Sequence, residues 1–179
     1  MSRLHRFLAL ITSIILAQAA GLIGSLATRP HIETWYRTIE KPGFTPPDWV
    51  FPVVWPTLYL LMAVAAWLVY ITPKQGDRSY WTQGTSYESM MLGNTPSRFA
   101  ALGVYGAQLV LNMLWSFLFF QWQMPGAALI EILILLMLIV LTTRLFYRIR
   151  PLAGYLMIPY ILWVSYASVL NAAIWWLNS

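Results

Sequence analysis

The sequence predicts an all-α membrane protein: a single-domain bundle of five membrane-spanning helices over residues 1–179. Three observations predict it. Of the 179 residues, 59% are hydrophobic and only 9% are charged, and the mean hydropathy is +0.63. A soluble domain carries about 25% charged residues, so this chain lacks the charge to solvate its own surface. Five apolar stretches reach or approach the roughly 20 residues that cross a bilayer as a helix. Those stretches are continuous rather than alternating, which excludes a spanning β-barrel and leaves helices to satisfy every backbone group in hydrocarbon.

The first expected span, residues 7–27, contains no charged residue. Arg3, His5 and Arg6 precede it, and Ala17-Gln18-Ala19 offers the small residues a signal peptidase requires. The apolar run nevertheless continues to Ala27, so a retained helix is the expectation. The remaining spans are expected at 50–71, 99–120, 126–143 and 152–177. Between the second and third lies a polar segment, 72–98, rich in Gly, Ser, Thr and Gln. It reads as a disordered loop or a small surface subdomain, with Trp81 and Tyr87 dipping into the membrane interface.

Charge sets the expected orientation. Arg3, Arg6, Lys74, Arg78, Arg98, Arg144, Arg148 and Arg150 fall on one side, against Arg29, Arg37 and Lys41 on the other. The positive side stays in the cytoplasm, which places the N-terminus inside and the C-terminus outside. The expected location is a bacterial cell membrane. Because the basic residues lie in separate loops, the net charge of +5 is not a nucleic-acid footprint. There is no cysteine, which excludes thiol catalysis, disulfides and thiolate metal sites.

Residues 35–59, WYRTIEKPGFTPPDWVFPVVWPTLY, hold three tryptophans, two tyrosines, two phenylalanines and five prolines. Each ring buries a large apolar surface when it finds a partner, and the prolines reduce the entropy lost in holding it there. One reading is a preformed aromatic cover folded onto a membrane-embedded site. The other is an interfacial belt that anchors helices at headgroup depth.

Polar residues inside spans are costly and face the bundle interior or a cavity. Gln108 and Asn112 share one face of the third span, with Tyr105 and Trp115 beside them. Trp163, Ala167, Leu170 and Asn171 share a face of the fifth. Trp55 and Tyr59 form an i, i+4 pair in the second, and Glu131 lies about one turn into the fourth. Interhelical hydrogen bonding is the plain reading of Gln108 and Glu131, while the ringed faces suit a flat ligand equally well. Ala100, Gly103 and Ala107 form a small-residue face able to seat a homodimer or an internal neighbour; the dimer is the expectation. No nucleophile triad, acid–base pair, metal cluster or phosphate loop is present in the pattern.

Trp35-Tyr36, Lys41-Pro42, Pro46-Pro47, Trp49-Val50-Phe51-Pro52, Trp55 and Leu58-Tyr59 resemble the signature of the translocator protein family. This is the TspO group, also called tryptophan-rich sensory proteins or peripheral benzodiazepine receptors. Tyr105-x-x-Gln108-Leu109-x-Leu111-Asn112-x-x-Trp115 and Pro159-Tyr160-x-x-Trp163 with Ala167-x-x-Leu170-Asn171 agree with it. The resemblance implies a five-helix bundle, often dimeric, with a pocket closed by the loop between helices 1 and 2. It implies tetrapyrrole ligands such as protoporphyrin IX, in animal members also synthetic benzodiazepine-site ligands and sterols, and a surround of membrane lipid. By motif position the ligand-binding residues are Trp35, Phe51, Trp55, Tyr105, Asn112, Trp115, Trp163, Ala167, Leu170 and Asn171. Light-driven porphyrin breakdown, implied by some bacterial members, would draw on Trp35, Trp55 and Trp163; no conventional catalytic residue and no metal ligand is expected, and porphyrin enters as ligand rather than as bound cofactor. Phe44 stands where the family has tryptophan, and Ala172 replaces the tyrosine after the Leu-Asn pair in animal members, so the short sterol motif is absent. Three functions remain open: a tetrapyrrole protein that senses, sequesters or transports its ligand, a photo-oxidative enzyme, and a small-solute transporter. Arg37 and Lys41 are the cations expected to meet porphyrin carboxylates.

Overall fold

A computed structural model describes residues 2–73 and 96–179. Lys74, Arg78, Trp81 and Tyr87 lie outside the described residues. The described chain forms α1 (Arg3–His31), α2 (Val50–Ile71), α3 (Arg98–Ser116), α4 (Pro125–Ile149) and α5 (Pro151–Leu177), with no strand among the described residues. All five helices are long and apolar enough to cross a membrane. Their outward faces carry Leu26, Met137, Leu162 and Val169, all strongly exposed, as a lipid-facing surface requires. The protein is an integral membrane protein.

Helix α1 begins at Ser2, whose Oγ accepts the His5 amide at 3.2 Å and satisfies one of the free N–H groups of the first turn. It does not stop at residue 27 as expected. Pro30 lies inside it, and proline has no N–H and crowds the carbonyl four residues back. The ladder widens beyond it into a π turn over Ile32–Tyr36 instead of ending. Trp35 and Tyr36 therefore ride on a helical extension, and only the segment 37–49 connects it to α2. The stretch 35–59 is thus split between a helix end, a short loop and the first turns of α2.

Helix α2 keeps its expected bounds. Arg98 Nη1 donates to the carbonyls of Tyr70 at 3.3 Å and Thr72 at 3.5 Å, fastening the start of α3 to the carbonyl end of α2. Helix α3 ends in a second π turn, Phe117–Gln121, and Gln123 reverses the chain at φ 54°. Proline opens both α4 and α5, where its missing N–H has no helical partner to lose. Helix α4 runs to Ile149, past the expected end at Thr143. Hydropathy marks where the bilayer ends, whereas the backbone ladder continues through Arg144 and Arg148. Only Arg150 separates α4 from α5, and Gly154 allows their close approach: a Cβ there would lie 2.8 Å from Tyr147 Cα.

In the half of the bundle bearing Arg98, helices α2, α4 and α5 pack tightly against one another. Met62, Leu135, Ile139, Phe146, Met157 and Tyr160 are essentially inaccessible there. The opposite half holds a smaller cluster, Phe119, Ala128, Leu170 and Ile174, against Trp35, Tyr36 and Trp115. Ala100, Gly103 and Ala107 all lie exposed on α3, and a Cβ built on Gly103 would touch nothing.

Candidate ligand cavity

The looser half encloses a cavity of about 470 Å³ between α1, α2, α5, the end of α3 and its π turn. This falls within the range of roughly 300–1,000 Å³ typical of small-molecule sites. Its walls are rings. Phe51 meets Trp163 edge-on at 5.9 Å, and Trp55 stands perpendicular to Trp163 at 6.4 Å. Trp55 leans on Tyr59 at 5.8 Å, and Trp115 stacks on Phe119 at 5.1 Å. Sequence places these rings one turn apart on their helices, so each helix turns a ringed face inward.

Polar groups fix the rings. Tyr59 donates its hydroxyl to Asn112 Oδ1, and Asn112 Nδ2 donates to the Tyr160 hydroxyl at 2.8 Å. Trp115 Nε1 donates to Asn171 Oδ1 at 3.0 Å, and Asn171 Nδ2 donates to the Pro125 carbonyl at 2.8 Å. One asparagine thus ties α2, α3 and α5 at the cavity floor, and the other ties α3, α4 and α5 at its upper wall. Each Oδ1 retains a second lone pair. The indole N–H of Trp163 is buried and has no acceptor among the described residues.

Helix α1 supplies the remaining wall through small residues. A Cβ on Gly21 would collide with the Tyr59 ring, and one on Gly24 would lie 3.0 Å from Ser116 Oγ. Gly21, Ser25, Thr28 and Ile32 all line the cavity at helical spacing. The charged lining residues are Arg29 and Asp48.

The connection 37–49 is fastened to α5. Asn178 Oδ1 accepts the Glu40 amide and its Nδ2 donates to the Glu40 carbonyl, both at 2.9 Å. The Tyr166 hydroxyl donates to the Phe44 carbonyl at 2.6 Å, with the two rings edge-to-face. The two cations expected to face a ligand are engaged elsewhere. Arg37 pairs with Glu33 at 2.8 Å, and Lys41 donates to the Tyr36 carbonyl at 2.6 Å while lying over the Tyr36 ring.

Eight of the ten residues expected to bind ligand converge on this cavity: Phe51, Trp55, Asn112, Trp115, Trp163, Ala167, Leu170 and Asn171. Two stand off it. Trp35 packs edge-on against Phe119 at 5.6 Å, behind the wall. Tyr105 lies two turns deeper along α3, against Phe146 at 5.7 Å. It borders a second, outward-opening groove of about 880 Å³ between α1, α2 and α3, which also holds Trp67, Tyr70 and His5. Sequence reasoning did not place Arg29 or the α1 wall; the spacing of Gly21, Ser25 and Thr28 was the available signal.

Fold and cavity together define a class: a small integral membrane bundle with an aromatic hollow between its helices. Residues 13–177 match the TspO/MBR family. A tryptophan-rich protein TspO of Archaeoglobus fulgidus is 36% identical over 172 residues, covering 96% of this chain and 98% of the relative. The translocator protein of Homo sapiens is 33% identical over 161 residues, covering 89% and 85%. A tryptophan-rich sensory protein of Cereibacter sphaeroides is 31% identical over 139 residues, covering 78% and 73%. The chain belongs to the TspO/MBR family.

Proposed function

We propose that the protein binds tetrapyrroles of the protoporphyrin IX type in this cavity, and senses, sequesters or transports them. The observation that carries the reading is the chemistry of the walls. Trp55, Trp115 and Trp163 offer ring faces and edges to a flat apolar macrocycle. The Trp163 N–H, without an acceptor among the described residues, and the spare lone pairs of Asn112 and Asn171 suit a polar edge. Arg29, rather than Arg37 or Lys41, is the cation at hand for a propionate. The segment 37–49, tied to α5 through Asn178 and Tyr166, acts as the cover. Synthetic benzodiazepine-site ligands would enter the same cavity. Ligand entry is from the C-terminal side, outside the cell in the orientation set by charge. The exposed Ala100, Gly103 and Ala107 face is read as the seat of a homodimer, to be checked by crosslinking across that face in liposomes.

Soret-band titration of the purified protein with protoporphyrin IX tests the reading. Trp55→Phe with Trp163→Phe is expected to raise Kd about tenfold, equivalent to ~1.4 kcal/mol. Equal binding by wild type and the double variant would defeat it. The contiguous rings Tyr59, Trp55, Trp163 and Tyr166 favour a second reading, photo-oxidative porphyrin breakdown with indoles as redox partners. Under illumination, defined products that vanish in Trp163→Phe would support it, whereas bleaching at the free-solution rate would leave binding alone.

A further inference from the structure

Beside the ringed cavity the bundle carries a second opening that the tetrapyrrole reading leaves without an occupant. Helix α1 closes on α3 near Gly24, where a Cβ would lie 3.0 Å from Ser116 Oγ. Toward Arg98 the two stand apart, and a Cβ on Gly106 would touch nothing. Between them runs the outward-opening groove of about 880 Å³. Its lining on α1 extends from His5 to Ile23, about 27 Å of helix and close to the hydrocarbon thickness of roughly 30 Å. Ala9, Ala20, Ala66 and Gly106 make it deep because they project little, and the exposed Leu16, Ile23 and Val110 rim it.

The two ends of the groove differ in chemistry. Near Ile23 and Met113 it is lined by Leu16, Ala19, Leu109 and Val110, with no polar side chain. Toward the other end, the Ser13 hydroxyl and the Trp67 indole N–H are already spent on the carbonyls of Ala63 and Arg6, both at 2.8 Å. That end is closed by His5 and Tyr70, joined between His5 Nε2 and the Tyr70 hydroxyl at 3.1 Å. Arg98 reaches the Tyr70 carbonyl from α3, and Arg3 and Arg6 lie exposed on the first turns of α1. The acidic residues among the described ones stand elsewhere: Glu33, Glu40 and Asp48 beyond the far end of α1, and Glu131 on α4. The groove thus has a basic mouth and an apolar length.

We propose that this groove binds one anionic phospholipid of the surrounding bilayer, with its phosphate at the mouth formed by His5, Arg6 and Arg98 and one acyl chain laid between α1 and α3. A chain one leaflet deep, roughly 15 Å, fits within the length of the groove. An acyl chain asks for no hydrogen bond, and the Ile23 and Met113 end offers none. A macrocycle with polar edges would find no partner there. Basic pockets between membrane helices suit anionic headgroups, because each nearby Lys or Arg adds attraction that a zwitterionic headgroup largely forgoes. The lipid site stands whether or not the ringed cavity takes a tetrapyrrole.

Photocrosslinking of the full chain in liposomes tests the site. The probe is phosphatidylglycerol with a diazirine in one acyl chain, and mass spectrometry locates the labelled residues. Label on Ala9, Ser13, Gly106 and Met113 is expected to exceed that on Met137 and Leu162, exposed on α4 and α5, by about tenfold. A phosphatidylcholine probe with the same chains should label the groove less. Gly106→Leu adds bulk where a Cβ meets nothing and favours the helix, so it should erase the groove label while Met137 and Leu162 keep theirs. His5→Gln with Arg6→Gln should remove the preference for phosphatidylglycerol. Label spread evenly over the lipid-facing helices of wild type overturns the site, whatever the variants do. Equal labelling by the two probes, or a preference that survives His5→Gln with Arg6→Gln, overturns the headgroup assignment. Groove label unchanged in Gly106→Leu overturns the seating of the chain between α1 and α3. An unlabelled groove overturns the lipid, and disulfide trapping of Ala9→Cys between two copies would then give the face to a homodimer.

Discussion

The two halves of the bundle use the same helices for opposite ends. Toward Arg98, Leu135, Ile139, Phe146 and Met157 fill the space between α2, α4 and α5, and the groove on that side opens outward beside α1. Toward Pro125 and Asn178, indole and phenyl rings stand perpendicular or tilted to one another and leave a hollow of about 470 Å³. Large rigid rings held by hydrogen bonds resist collapse, whereas aliphatic side chains adapt until the gap closes. The Tyr59–Asn112–Tyr160 tie marks the boundary: packing dominates below it, and ring geometry sustained by Asn112 and Asn171 dominates above.

Truncation below the boundary gives the largest expected effect on stability. Phe146→Ala removes a fully buried ring and its contact with Tyr105, and about 3–5 kcal/mol is the usual cost of such a loss. Thermal unfolding in detergent should show a large drop in midpoint with porphyrin affinity little changed. At the boundary, Asn112→Ala strands the Tyr59 and Tyr160 hydroxyls, at about 1–3 kcal/mol for each buried group left unpaired. Here both the unfolding midpoint and porphyrin affinity should fall. Above it, Asn178→Ala cuts two ties to Glu40 at an exposed site, where a typical hydrogen bond contributes only about 0.5–1.5 kcal/mol. The midpoint should move least, while protease cleavage within residues 37–49 accelerates. If Asn178→Ala lowered the midpoint as much as Phe146→Ala, the contrast between the halves would be wrong.

Much of this was legible in the sequence, for reasons that particular residues make plain. Hydropathy located all five helices because a bilayer imposes composition along their length. It misjudged ends where the ladder outlasts the apolar stretch, at Tyr36 and Ile149. Helical spacing found the ringed faces of α2, α3 and α5. It gives direction around a helix but not rank along the cavity, so Tyr105 shares the Asn112 face yet lies beneath the floor. The α1 wall was hidden because Gly21 and Gly24 act by what they lack, and absent side chains carry no chemistry to read. Arg37 and Lys41 looked available because sequence does not reveal that Glu33 and the Tyr36 carbonyl already hold them.

The central claim is that the ringed hollow, not the outward groove beside α1, receives the ligand. Mapping photo-oxidised residues by mass spectrometry after brief illumination with stoichiometric protoporphyrin IX tests it most directly. The account predicts modification concentrated on Trp55, Trp115 and Trp163. Modification concentrated on Trp67, Tyr70 and His5, with the cavity tryptophans spared, would contradict it.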